Sequence, residues 1–193
     1  MANAQQTSEN SGRAFKRGIR YQGEVNVGYG FFATQDVSFS DGFLYYIYNR
    51  LGGRYLLFET VHGIRISPHL FTGIGVKMCA NENAYFDTAY LPIFVDVKYY
   101  PINSTFAPYI ALDLGYSLQL YQLHSNDAYM KEDSNPFGFH GMAGIGFNYK
   151  YLNVGLGCQI QQILNLDYDY HSDRLIDKKI LNTSLFLKVG VKF

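Results

Sequence analysis

The stretch PYIALDLGYSLQLY, Pro108–Tyr121, separates by alternate residues into two kinds of side chain. Ile110, Leu112, Leu114, Tyr116, Leu118 and Leu120 form one set, and Tyr109, Ala111, Asp113, Gly115, Ser117, Gln119 and Tyr121 form the other. Successive strand side chains point to opposite faces, so this is a β-strand with one apolar and one polar side. Whether the apolar side meets a protein core or lipid decides the fold.

The same period-two pattern recurs along the chain and predicts eight strands. They run at about Tyr21–Ala33, Tyr55–Ile66, Leu70–Ala80, Ala89–Pro101, Phe106–Tyr121, Phe137–Lys150, Tyr151–Leu166 and Thr183–Phe193. The connections alternate. Ser67–His69, Ile102–Thr105 and the junction near Tyr149–Tyr151 are short; Thr34–Arg54, Asn81–Thr88, Gln122–Pro136 and Asp167–Asn182 are long. Short turns on one side and long loops on the other are the plan of an outer-membrane barrel, with both termini on the periplasmic side. A soluble lipocalin-like ligand-binding barrel shares the strand count.

Totals narrow the classes. The 193 residues suggest one domain, and 16 basic against 16 acidic residues give no excess charge for nucleic-acid binding. Eighteen Tyr, 15 Phe and 19 Gly favour strands. No apolar run is long enough for a transmembrane helix, whereas a membrane strand needs only about 9–11 residues. Residues 1–20 read as a tail, with Ala2–Ala4 resembling the end of a secretory signal peptide. Its basic part, Gly12–Arg20, suits anionic headgroups. Residues 21–193 read as the barrel.

The polar faces decide between water and lipid. They are rich in glycine, as at Gly73, Gly75, Gly144, Gly146, Gly155 and Gly157. A face turned to water has no need to be small, while a narrow eight-stranded lumen does. The polar faces also carry Glu24, Glu59, Asp96 and Asp113 with Arg65, Lys77, Lys98 and Lys188, four acids against four bases. Buried charge is costly unless paired, and equal numbers can pair. The Ser67–His69 turn sets Glu59 opposite Lys77, Lys98 is the expected partner of Asp113, and Glu24 and Lys188 lie on the first and last strands, which must pair to close the barrel. With Glu59 inward, His62 faces outward unless a bulge near Thr60–Gly63 turns it in. The apolar faces end in aromatics: Tyr99, Tyr149 and Phe193 at one rim, Phe31, Phe137 and Phe139 at the other, the pattern of aromatic girdles.

LFLKVGVKF, Leu185–Phe193, resembles the C-terminal signal read by the outer-membrane assembly machinery. TVHGIRISPHLFTGIGV, Thr60–Val76, and LPIFVDVKYYPINSTFAPYIALDLGYSL, Leu91–Leu118, resemble hairpins of a porin-like family of small outer-membrane β-barrel domains. The resemblance extends over the chain from Tyr21. It implies an all-β, eight-stranded antiparallel up-and-down transmembrane barrel of the OmpA/OmpX type in the outer membrane of a Gram-negative bacterium. It carries no catalytic residues and no defined function.

Chemistry is sparse. His124–Ser125, His171–Ser172 and YDYHSDR, Tyr168–Arg174, place a nucleophile beside a base only in expected loops, which hold triad geometry poorly. Asp167, Asp169 and Asp173 lack a cation-loop pattern, and no phosphate-binding loop, dinucleotide fingerprint or zinc spacing occurs. Cys79 and Cys158 fall on different faces, which disfavours a disulfide. No cofactor or metal is expected. The aromatic segment FLYYIYNRLGG, Phe43–Gly53, is open to four readings: a strand extension, a short helix, a loop packed over the barrel mouth, or a ligand or adhesion surface. As the candidate interaction surface, Phe43, Tyr45, Tyr46 and Tyr48 offer contact area at low entropic cost. The expected partners are outer-membrane lipid, the assembly machinery and an extracellular or envelope protein. The leading reading is a non-enzymatic barrel with a closed lumen that acts through its loops. A small porin or channel is the second reading, and the soluble barrel the third.

Overall fold

The computed structural model describes residues 19–40, 45–50, 53–81, 87–123, 137–169 and 174–193. Where alternation runs unbroken in the sequence, a strand forms: β1 (Arg20–Ser40), β2 (Tyr45–Arg50), β3 (Arg54–Arg65), β4 (Leu70–Asn81), β5 (Asp87–Tyr99), β6 (Phe106–Leu123), β7 (Phe137–Tyr149), β8 (Leu152–Asp169) and β9 (Arg174–Lys192). Neighbours pair antiparallel in the order β2-β1-β3-β4-β5-β6-β7-β8-β9, and β1 pairs again with β9 to close the sheet. On one side β1 meets β3 along Arg20–Phe31 and β2 along Gln35–Ser40. β2 and β3 are therefore two lengths of a single stave, and the wall is an eight-stranded antiparallel barrel. Closure removes the unpaired edges that an open sheet would expose.

The barrel is built inside out relative to a soluble one. From Leu70 to Ala80, Leu91 to Tyr99, Phe106 to Leu120 and Phe137 to Tyr149, the outward positions hold no Asp, Glu, Lys or Arg. Large apolar residues there stand exposed, among them Ile74, Val95, Leu114 and Ile145. The inward positions hold the buried charged and polar side chains. A soluble lipocalin-like barrel requires the opposite arrangement.

Two connections differ from the sequence expectation. The segments read as the long loops Thr34–Arg54 and Asp167–Asn182 are largely strand. β1 runs on to Ser40, paired with β2 and with β9, while β8 runs to Asp169 and β9 begins at Arg174. Ala33–Ser40 adds about 26 Å of strand at roughly 3.3 Å per residue. Clean alternation between apolar and polar residues fades in these segments. A bulge between Phe32 and Thr34 also shifts its phase. Tyr45, Tyr46 and Tyr48 accordingly belong to a strand, β2, rather than a loop. Phe43 lies outside the described residues, as do Asp173 and the His-Ser pairs at 124–125 and 171–172.

The short connections are as tight as the sequence suggests. Tyr149 pairs with Leu152, leaving Lys150 and Tyr151 as a two-residue turn with Lys150 at φ 54°. Ile19 and Phe193 sit at this short-turn end. Phe193 is held to β1 by a reciprocal backbone pair, Gly23 N to Phe193 O at 2.8 Å and Phe193 N to Gly23 O at 2.9 Å.

Candidate functional site

The lumen collects the inward side chains of every stave. Alternation brings Glu24 and Asn26 from β1, Glu59 from β3, Lys77 from β4, Asp96 and Lys98 from β5, Asp113 from β6 and Lys188 from β9 into one enclosed volume. All are at most 3% exposed. In so dry a place an ionised group must be met by an opposite charge or by several hydrogen bonds.

Two linked ion-pair clusters meet that requirement for Glu24 and Glu59. Glu59 and Lys77 are opposed in the β3–β4 ladder, as the short turn dictates, and their charges lie 3.3 Å apart. Lys188 reaches Glu59 from β9 at 2.5 Å, and Asn26 donates to the same carboxylate at 2.9 Å. Nearer the short turns, Lys98 binds Glu24 and lies 3.1 Å from Asp96. Gln22 and Asn153 each donate to Glu24 at 3.0 Å. Asn153 joins the clusters, since it also donates to Asn26 at 2.9 Å and accepts from the Tyr109 hydroxyl at 2.8 Å.

Two sequence expectations need correction. Asp113 pairs with Lys77 at 3.7 Å rather than with Lys98, which is turned toward Glu24. The ladder sets Asp113 beside Asp96 and leaves Lys98 opposite Ala111, on the far side of Asp96. Among the described residues Arg65 joins none of the ion pairs. It is half-buried at the short-turn mouth, donates Nη2 to the Pro68 carbonyl at 2.5 Å, and lies 4.5 Å above the Tyr100 ring. At the end of β3 its reach is spent on the turn that follows.

Aromatic rings take the space that glycine vacates. A Cβ at Gly30 would lie 2.1 Å from the Tyr55 ring, and one at Gly75 would lie 2.4 Å from the Phe94 ring. Tyr109 likewise fills the space inside Gly146. The lysines rest on these rings: Lys77 is 5.0 Å from Phe94 and 5.4 Å from Phe186, and Lys98 is 5.4 Å from Phe71 and from Tyr109. Cation–π attraction strengthens when desolvated. The glycine-lined wall read from sequence is thus a set of sockets for rings. Asn26, Asn153 and His140 join the site as well; the phase of the sequence puts His140 and Asn153 on polar faces without marking them as partners of the charges. Their signal was their inward phase on strands already recognised.

On the outer face, Phe31, Tyr99, Phe137, Phe139, Tyr149 and Phe193 are all exposed. His62 also faces outward, because the β3–β4 ladder is continuous from Tyr55 to Arg65 and contains no bulge. Its Nδ1 meets the Tyr21 hydroxyl at 2.5 Å and its Nε2 the Thr60 hydroxyl at 3.0 Å, so an outward histidine has both nitrogens partnered. Cys79 is buried and Cys158 exposed, both as free thiols.

A closed eight-stave wall, an apolar exterior and a charge-paired lumen together define the architecture. The fold is that of the small outer-membrane β-barrels. It is similar to outer membrane protein OprG from Pseudomonas aeruginosa, with a TM-score of 0.58 and 14% identity over 89% of this chain and 95% of that one. It is also similar to Neisserial surface protein A, with a TM-score of 0.50 and 15% identity over 91% of this chain and 99% of that one. No protein-family model matches the sequence, and no curated protein matches it significantly. At such low identity the likeness is one of fold. Within an outer-membrane-type barrel, Leu114 and its outward neighbours occupy the position of lipid-facing residues, and Asp113 that of a lumen residue.

Proposed function

We propose that the protein is an integral, non-enzymatic outer-membrane barrel of a Gram-negative bacterium. In this reading the apolar wall anchors it, the lumen is closed to solute flow, and the long-strand end does interaction, adhesion or envelope-structural work. The short turns and both termini lie in the periplasm, by the general plan of such barrels. The C-terminal strand, ending in Leu185–Phe193, engages the assembly machinery. The exposed aromatics form the interfacial girdles, where amphipathic rings suit headgroup depth.

The observation that carries the closed-lumen reading is the filling of the barrel by Glu24, Glu59, Lys98 and Lys188 among Tyr55, Phe94 and Tyr109, all nearly or fully buried. An aqueous path would leave such side chains accessible. The extension of β1, β2, β8 and β9 past the belt supports an outward-facing platform, which a barrel serving only as an anchor does not need.

Recording in planar lipid bilayers tests the closure. The expected result is no stable conductance from the purified, folded protein. A stable, large conductance that changes on neutralising Lys77 or Lys98 would replace this reading with that of a small channel.

A further inference from the structure

The buried charges do not sum to zero. Among the described residues the buried acids are Glu24, Glu59, Asp96 and Asp113, and the buried bases are Lys77, Lys98 and Lys188. Arg65 is spent at the mouth on Pro68 and Tyr100. Lys192 is only half-buried and sits at the rim, opposite Glu24 in the β1–β9 ladder. Among the fully buried groups, acids therefore exceed bases by one in a volume where an uncompensated charge is costly.

The excess falls at a definite place. Asp96 and Asp113 are directly opposed in the β5–β6 ladder and both point into the lumen at 1% exposure. Directly opposed Cβ atoms lie about 4.5–5.5 Å apart, which brings two carboxyl groups within hydrogen-bonding reach. All four of their oxygens are buried and none accepts a hydrogen bond from a described residue. Lys98 approaches Asp96 at 3.1 Å and Lys77 approaches Asp113 at 3.7 Å, neither in hydrogen-bonding geometry. Glu24 and Glu59, by contrast, each accept bonds from a lysine and an asparagine. Two adjacent carboxylates cannot both stay ionised at low cost.

We infer that Asp96 and Asp113 form a proton-binding site in the lumen, one carboxyl donating its O–H to a carboxylate oxygen of the other. Holding that proton leaves three negative and three positive buried charges and gives a bond to two of the four bare oxygens. The charged and titratable groups facing the pair are Lys98 on the same strand as Asp96, with Glu24 of β1 on its other side, Lys77 on β4, Glu59 on β3, Lys188 on β9 and, two residues from Asp113's ladder partner Met142, His140 on β7. His140 does not supply the missing charge. Both its ring nitrogens are buried without a partner among the described residues, and an imidazolium would leave two donors unmet.

Infrared spectroscopy of the folded protein in detergent at neutral pH tests the site. A protonated-carboxyl carbonyl band is expected, and it should shift when the aspartates carry carbon-13 at the carboxyl and stay put when the glutamates do. Asp96→Asn and Asp113→Asn should each abolish the band and keep the wild-type thermal midpoint, because amide replaces acid at constant charge. The double variant leaves one lysine in excess and should lose stability well beyond the sum of the two. Absence of an aspartate-sensitive band in the wild-type protein, which would follow if His140 carried the charge, overturns the proposal whatever the variants do. Retention of the band in both folded single variants overturns it as well.

Discussion

Lys188 on β9 and Glu59 on β3 meet at 2.5 Å across the lumen, with β1 between them in the wall. Glu59 also holds Lys77 at 3.3 Å, so one carboxylate serves two ammonium groups. Removing it strands both in a dry interior, and breaking a buried pair costs about 3–5 kcal/mol. Glu59→Gln should therefore lower unfolding free energy by roughly that amount. The readout is denaturant titration in detergent followed by heat-modifiable mobility. Adding Lys188→Met should recover part of the loss, since it removes one of the stranded charges. A cost indistinguishable from zero for Glu59→Gln would mean that the cluster does not hold the lumen together.

The outward face makes a separate prediction. Leu114 stands half exposed beside inward Asp113 on β6. Near the bilayer midplane an arginine on the lipid face costs about 2–4 kcal/mol. Leu114→Arg should show that loss in a bilayer-refolding titration, whereas an arginine at Tyr151, in the short turn, should cost much less. Equal small effects at both sites would place Leu114 in water and remove the lipid-facing assignment.

How far the sequence discloses these features depends on their range. Glu59 opposite Lys77 is legible because the three residues Ser67–His69 fix the hairpin register, and register fixes the pair. Lys188 with Glu59 is not legible, since their approach depends on barrel closure and on how Tyr109 and Phe186 share the interior. Asp113 misleads for the same reason. Its hairpin neighbour Lys98 turns to Glu24 on β1, 74 residues away in sequence. β2 is only one of several readings open for its segment, because Tyr45–Arg50 shows no clean period-two alternation to mark a strand.

Asn153 separates a hydrogen-bonded network from simple filling. It donates to Glu24 and Asn26 and accepts from Tyr109, so its side chain uses both the donor and the acceptor that an amide combines. Asn153→Ala should cost about 1–3 kcal/mol by leaving buried partners unmet. Asn153→Asp should cost more although it is nearly isosteric, because a carboxylate cannot donate and would face Glu24. Thermal midpoints of the two variants give the order. Asp tolerated better than Ala would show that volume, not donor chemistry, is what the position requires.

The β7–β8 turn offers a change that should stabilise. Lys150 adopts φ 54° in a two-residue hairpin, a conformation that costs an L-residue with a Cβ roughly 1–2 kcal/mol and glycine almost nothing. Favoured two-residue hairpins place glycine at such positions because the turn then matches strand twist. The Lys150 side chain is exposed, with its ammonium 5.6 Å above the Tyr149 ring. Substitution therefore gives up only a surface cation–π pair of about 0.5–1 kcal/mol. Glycine also has more freedom to lose on folding, which offsets part of the gain. Lys150→Gly should raise stability by up to about 1 kcal/mol, while Lys150→Val, β-branched and strained at positive φ, should lower it. Unfolding rates in denaturant check both. If glycine and valine shift stability in the same direction, the turn does not hold Lys150 in the left-handed region.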